Sequence, residues 1–153
     1  MIVTDKKDLP PILELQKKAF HEVAVRHNDL KIQPVTQTLE QIEEEFDSGT
    51  AFFKFLFEGE IAGSVRAKMI DEATCFIGKL IVHPDLQNRG IGTKLMHEVE
   101  EYFKDKCSKF TLFTGEKNEH VLRLYSKSGY RITGSQNSGA YSLIHMEKDS
   151  SHA

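Results

Sequence analysis

The sequence predicts an α+β fold in a single domain, and three observations carry that reading. Segments with two-residue alternation are interleaved with segments whose apolar residues recur three and four apart, so strands and helices are mixed along the chain. Their order is an αββ start, then strand, helix, strand, helix, then terminal strands. At 153 residues the chain is long enough to bury one core without disulfide or metal staples.

The elements follow in order. Asp8 precedes Ile12, Leu15, Ala19, Phe20 and Val23 at helical spacing, and Pro10 and Pro11 are tolerable only in a first turn. A polar stretch runs from about His27 to Pro34. Thr38, three residues before Gln41, then forms a capping-box pattern ahead of Leu39, Ile42 and Phe46, giving a short helix that ends near Gly49. Phe52 to Phe57 and Ile61 to Met69, joined by Glu58-Gly59-Glu60, read as a hairpin. In its second strand Ile61, Gly63, Val65, Ala67 and Met69 alternate with Ala62, Ser64, Arg66 and Lys68, so one face is polar and is expected to meet solvent.

Thr74 to Val82 is a third strand, stopped by Pro84. Ile91, Leu95, Val99 and Phe103 return to helical spacing as far as about Lys106. Phe110 to Thr114 is a strand, and Glu119 to Ser128 is a helix closed by Gly129. Two last strands lie near Tyr130 to Gly134 and Tyr141 to Met146, with a turn over 134 to 139. The domain is expected to occupy 1–148, and the tail 149–153 is expected to fray.

Composition excludes several function classes. The apolar fraction is 39% and the charged fraction 28%, and no apolar run reaches the roughly 20 residues of a membrane span. The N-terminus is too polar for a secretory h-region, which points to the cytoplasm. Cys75 and Cys107 have neither redox nor zinc spacing, and His21, His27, His97, His120, His145 and His152 lack metal-site spacing. No metal is expected. A net charge of −3 without a basic cluster argues against nucleic acid.

The chemistry-bearing feature is Gln87-Asn88-Arg89-Gly90-Ile91-Gly92-Thr93, a glycine turn that opens a helix after a strand. Such a turn presents unpaired N–H groups and the positive end of the helix dipole, which together bind anions and phosphates above all. Gly90 and Gly92 let the backbone approach closely, and Arg89 adds a cation. A P-loop would need Gly-Lys-Ser/Thr, whereas the order here is Gly92-Thr93-Lys94; a dinucleotide fingerprint would need a third glycine. By itself the glycine pair also fits an ordinary helix start.

Residues 80–95, Leu-Ile-Val-His-Pro-Asp-Leu-Gln-Asn-Arg-Gly-Ile-Gly-Thr-Lys-Leu, resemble the signature of the GNAT superfamily of N-acetyltransferases. A second block, Asn118 to Tyr130 with Leu124-Tyr125 and Gly129-Tyr130, resembles that family's Asn…Leu-Tyr-x-x-x-Gly-Phe/Tyr segment. The resemblance implies a mixed, mostly antiparallel central sheet of six to seven strands with about four helices on both faces, whose central strands splay to admit the pantetheine arm. It implies acetyl-CoA as cosubstrate. Backbone groups of Leu80, Ile81 and Val82 would pair with pantetheine, Gln87 to Thr93 would wrap the pyrophosphate, and Asn118 would contact the cofactor. A backbone N–H near Val82 would face the acetyl oxygen.

Acetyl transfer needs a neutral amine, a donor to the oxyanion and a proton for the departing sulfur. Tyr125 stands where the family carries its general acid, although at its helical position it also fits a packing residue beside Val121 and Leu122. Members that acetylate protein N-termini often have a Glu where this chain has Phe113, which argues against that substrate class. Asp71, Glu72, His83 and Glu116 are base candidates, but turn acids are mostly solvated and His83 also fits a cap before Pro84. The run Glu40, Glu43, Glu44, Glu45, Asp47 would attract a cationic amine, or is the wet side of its helix. Arg66 and Lys68 could meet a carboxylate on the acceptor, but a solvent-facing pair is the commoner arrangement on an antiparallel sheet, and they are left out of the expected site.

The expected activity is transfer of acetyl to a primary amine on a small molecule, with acceptor contacts from about 21–40 and 131–142. A non-catalytic acyl-CoA-binding module is the alternative, and a homodimer is left open.

Overall fold

A computed structural model describes residues 1–137 and 142–150. Five α-helices and six strands run in the order α1 (Leu9–Arg26), α2 (Gln33–Thr36), α3 (Leu39–Asp47), β1 (Ala51–Phe57), β2 (Glu60–Met69), β3 (Thr74–Val82), α4 (Ile91–Phe103), β4 (Lys109–Gly115), α5 (Glu119–Lys127), β5 (Arg131–Asn137) and β6 (Ser142–Asp149). The strands form one sheet in the order β1-β2-β3-β4-β6-β5. Every pairing is antiparallel except β3 with β4. None of the described helices is long and apolar enough to cross a membrane.

Local chemistry sets the helix ends. Pro10 and Pro11 fall in the first turn of α1, where the missing N–H costs nothing. The Thr38 side chain accepts from Gln41 N–H while Gln41 returns a bond to Thr38 N–H, so the capping box forms in full. The four-residue α2 was not expected; it fills part of the polar stretch before Thr38.

Helices cover both faces of the sheet. On one side α1 and α3 pack Leu9, Ile12, Leu13 and Ile42 against Phe52. On the other, Ile91, Leu95, Met96, Val99 and Phe103 of α4 pack against Phe53, Val65, Ile77, Phe110, Leu112 and Met146. Adjacent Phe52 and Phe53 thus point into different cores, as strand alternation requires, and each fully buried ring contributes about 1.5–3 kcal/mol.

The polar face of β2 corrects the expectation of a solvent-facing row. Ala62, Ser64 and Arg66 are buried beneath the α1–α3 layer, and only Lys68 is exposed. The guanidinium is tolerated because it is bonded on three sides. Arg66 Nη1 donates to Glu45 Oε2 at 2.9 Å and to Gln37 Oε1 at 3.3 Å, and Nη2 donates to Gln16 Oε1.

Two irregularities open the sheet. β3 and β4 pair only from Thr74↔Lys109 to Phe76↔Thr111 and then part, while β4 stays paired with β6 along its whole length. In β2–β3 the register slips between Ser64↔Ile81 and Arg66↔Gly78, a bulge in which Lys79 takes φ 55°. Beyond Phe76 the β4-facing edge of β3 is therefore unpaired.

β6 continues through Asp149, and Ser150 is buried with its N–H donating to Ser108 O at 3.0 Å, so order extends two residues into the segment expected to fray. Residues 151–153 lie outside the described residues, as do Tyr141 at the expected start of the last strand and 138–139 of the expected turn. The rest of that turn, from Gly134 to Asn137, belongs to β5.

Candidate active site

Where β3 and β4 part, two clefts meet. One, of about 750 Å³, runs past the start of α4 and is lined by Leu80, Ile81, Val82, Gln87, Asn88, Gly90, Ile91, Gly92, Thr93 and Asn118. The second, a chamber of about 370 Å³, includes Arg66, Lys79, Phe113 and Tyr125 in its lining. Phe20, Val23, Leu80, Asn118 and Val121 border both.

Ten of the eleven residues expected at the cofactor thus share one cleft; Arg89 is exposed and is not in its lining. The turn has the backbone form that anion binding needs. Asn88 (φ 64°) and Gly90 (φ 80°) are both left-handed, and Gly90 caps α4, whose first-turn N–H groups have no intrahelical acceptor. A Cβ added at Gly90 would meet no protein atom within 4 Å, so the space beside it is open. Gly92 serves a different purpose, because a Cβ there would lie 2.8 Å from Leu124 Cδ1 and make that side chain shift at the contact between α4 and α5.

The cleft also holds Arg26, His120, Arg123 and Lys127, which the sequence reading missed. His120, Arg123 and Lys127 sit three and four apart on α5 and share a helix face, a signal that could have been read. Arg26 had none. It ends α1, and its Nη1 reaches Asn118 Oδ1 at 3.2 Å across a sequence gap of 92 residues. Asn118 is buried, and its Nδ2 lies 3.5 Å from Thr114 Oγ1.

Tyr125 is 5% exposed and borders the chamber. Burial pushes its phenol well above the ordinary value of ~10, so the hydroxyl stays protonated at working pH. It packs as well, with its ring centroid 5.9 Å from that of Tyr130, so the packing and donor roles are compatible.

None of the four base candidates lines either cleft. Asp71 accepts from Ala73 N–H and Thr74 N–H, bonds that hold its carboxyl below the usual range. His83 Nδ1 accepts from Asp85 N–H at 3.1 Å and caps the short 3₁₀ turn Pro84–Leu86. Glu116 accepts from Ser142 N–H, and Glu72 is exposed.

The chamber wall combines aromatic and basic groups. Phe113 stacks near Phe76 at 5.5 Å between centroids. Burial lowers the Arg66 guanidinium to about 10 against the pull of Glu45. Burial lowers the Lys79 ammonium to about 8, helped by repulsion from Arg66. His27 is buried at the rim, with Nδ1–H donating to Val23 O at 2.9 Å and Nε2 accepting from Lys117 N–H at 3.3 Å. Gly115 makes room for that ring, since a Cβ there would lie 2.3 Å from Nε2. Of the two segments expected to contact an acceptor, only 21–40 contributes among the described residues, through Val23, His27, Ile32, Gln33 and Pro34.

Comparison with known proteins agrees with this architecture. S-(2-succino)cysteine N-acetyltransferase of Bacillus subtilis is 26% identical over an alignment covering 96% of this chain and 93% of that protein. The uncharacterized protein YdhI of the same organism is 35% identical, but over 48% of this chain and 45% of its own length. The structure of PaiA N-acetyltransferase from Thermoplasma acidophilum in complex with coenzyme A superposes with a TM-score of 0.82 at 18% identity, covering 97% of this chain and 98% of that one, which speaks to the fold. The family profile for the Acetyltransferase (GNAT) family matches residues 10–130. This chain belongs to the acetyltransferase (GNAT) family.

Proposed function

We propose that this chain transfers acetyl from acetyl-CoA to a primary amine on a small molecule in the cytoplasm, by direct attack and with Tyr125 as general acid. The observation that carries the reading is the junction of the two clefts at Leu80, Asn118 and Val121. One cleft is long and bordered by the glycine turn, Arg26, Arg123 and Lys127, suited to a pyrophosphate and a pantetheine arm. The other, of about 370 Å³, has room for a small acceptor.

At the junction the amine lone pair attacks the thioester carbonyl carbon. Negative charge gathers on the carbonyl oxygen, and Leu80 N–H, just past the bulge and bordering both clefts, is the donor we assign to it. Val82, near which the family resemblance puts this donor, borders only the cofactor cleft. As the tetrahedral intermediate collapses, the C–S bond breaks and Tyr125 donates toward the sulfur. The surplus amine proton leaves to water. The relative named for S-(2-succino)cysteine supports a small-molecule acceptor here.

Release of CoA thiol from acetyl-CoA, measured with a panel of amines, tests the reading. Tyr125→Phe is expected to lower kcat by about 10²–10⁴-fold while acetyl-CoA affinity stays within about twofold. Acetyl-CoA binding with no turnover on any amine would favour a non-catalytic acyl-CoA-binding module instead.

A further inference from the structure

The chamber's charges do not balance. Its ionisable lining comprises Arg66, Lys68 and Lys79 against the single carboxylate of Glu45, with His27 at the rim. Glu45 is already committed to Arg66 at 2.9 Å. Lys68 and Lys79 have no carboxylate within ion-pair distance among the described residues. Arg66 Nε is buried without a hydrogen-bond partner, so the guanidinium is not saturated either.

The backbone goes out of its way to put Lys79 there. Ile77 and Leu80 both pack toward the α4 core although they are three apart, which regular alternation forbids. The bulge absorbs the extra residue, and Gly78 and Lys79 both line the chamber. The cost is a lysine held at φ 55°, a region a side chain with a Cβ seldom occupies. The remaining wall is largely apolar, through Phe20, Val23, Ile32, Phe76, Phe113 and Leu143. A cationic acceptor would add like charge to this chamber, whereas an acceptor with a negative group would complete it.

Resting on the acetyltransferase reading above, we propose that the acceptor is an amine that also carries a carboxylate, and that Lys79 holds this carboxylate in the field of Arg66 and Lys68 while the amine faces Leu80. An amino acid with an apolar or elongated body is the class that fits. Polyamines and aminoglycosides are excluded by the same charges.

The test pairs each acceptor with its decarboxylated counterpart, phenylalanine with phenethylamine and 6-aminohexanoate with pentylamine, with S-(2-succino)cysteine and spermidine added. CoA thiol release is followed for all of them. We expect kcat/KM for the carboxylated members to exceed that of their partners by at least tenfold, mainly through KM. Lys79→Gln should collapse this ratio toward one, and Lys79→Arg should restore most of it, with thermal melting confirming that both variants fold. Turnover of amines with a ratio near one, or a preference for spermidine, would overturn the carboxylate assignment and leave the acetyltransferase reading standing. Acetyl-CoA binding without turnover of any acceptor would overturn both.

Discussion

Glu45 on α3 lies 2.9 Å from Arg66 on β2, an ion pair that joins the acidic helix to a guanidinium only 4% exposed. The pair takes one carboxylate out of the acidic run and uses it inside the fold. Glu40, Glu44 and Asp47 face solvent, while Glu45 is turned inward and neutralised.

Glu45→Ala should therefore destabilise the fold. Removing one partner of a fully buried pair costs about 3–5 kcal/mol, and because Glu45 is 30% exposed we expect less than that, about 2–3 kcal/mol. Urea unfolding measures it; a loss below about 0.5 kcal/mol would mean Gln16 and Gln37 suffice for Arg66.

Gly90→Val should weaken acetyl-CoA binding more than tenfold. The left-handed backbone alone costs about 1–2 kcal/mol of stability, and the added side chain enters the open space beside the turn. Gly49 provides the control, because it too is left-handed (φ 102°) with open space around it but lies at the end of α3. Calorimetric titration of Gly49→Val should give wild-type affinity, and equal losses in the two variants would refute a phosphate at Gly90.

Gly92→Ala should loosen the seam between α4 and α5. Its new methyl meets Leu124 Cδ1 at 2.8 Å, the far end of a half-buried side chain, so the cost is that of moving one leucine off its rotamer, about 0.5–1.5 kcal/mol. Leu124→Ala in the same chain should recover part of the loss, seen as a coupling of at least about 0.5 kcal/mol in a double-mutant cycle. Strict additivity would show that the glycine is needed for another reason.

Acceptor preference should depend on pH through Lys79. Its ammonium is charged below about 8 and neutral above, in a setting shaped by Arg66 and Lys68 on β2 and Glu45 on α3. The hold on a carboxylate is thus present below that pH and lost above it. The ratio of kcat/KM for 6-aminohexanoate over pentylamine should fall as pH rises through about 8 in the wild type and stay flat in Lys79→Gln. A ratio that climbs with pH would contradict the assignment.

The elements most legible in the sequence were those whose ends are fixed by nearby residues. Thr74–Val82 was read to the residue, because Pro84 stops it and its apolar run is local. Thr38 and Gln41 announced α3 because a capping box closes within one turn. The short α2 escaped notice because four residues are too few for a period to show, and its packing against α1 is a long-range event.

The conformation of the glycine turn, to which we assign the pyrophosphate, was determined by the sequence itself. Asn88, Gly90 and the first turn of α4 act through backbone conformation and N–H groups that lie within a few residues of one another. The chamber proposed for the acceptor was decided only by the tertiary structure. Arg66 looked like a solvent-facing residue until α1 and α3 covered it, and Lys79 looked like one more strand residue until the bulge against β2 redirected it. Both depend on partners beyond the reach of a local pattern, Gln16 and Glu45 for Arg66 and the Ser64–Arg66 slip on the neighbouring strand for Lys79.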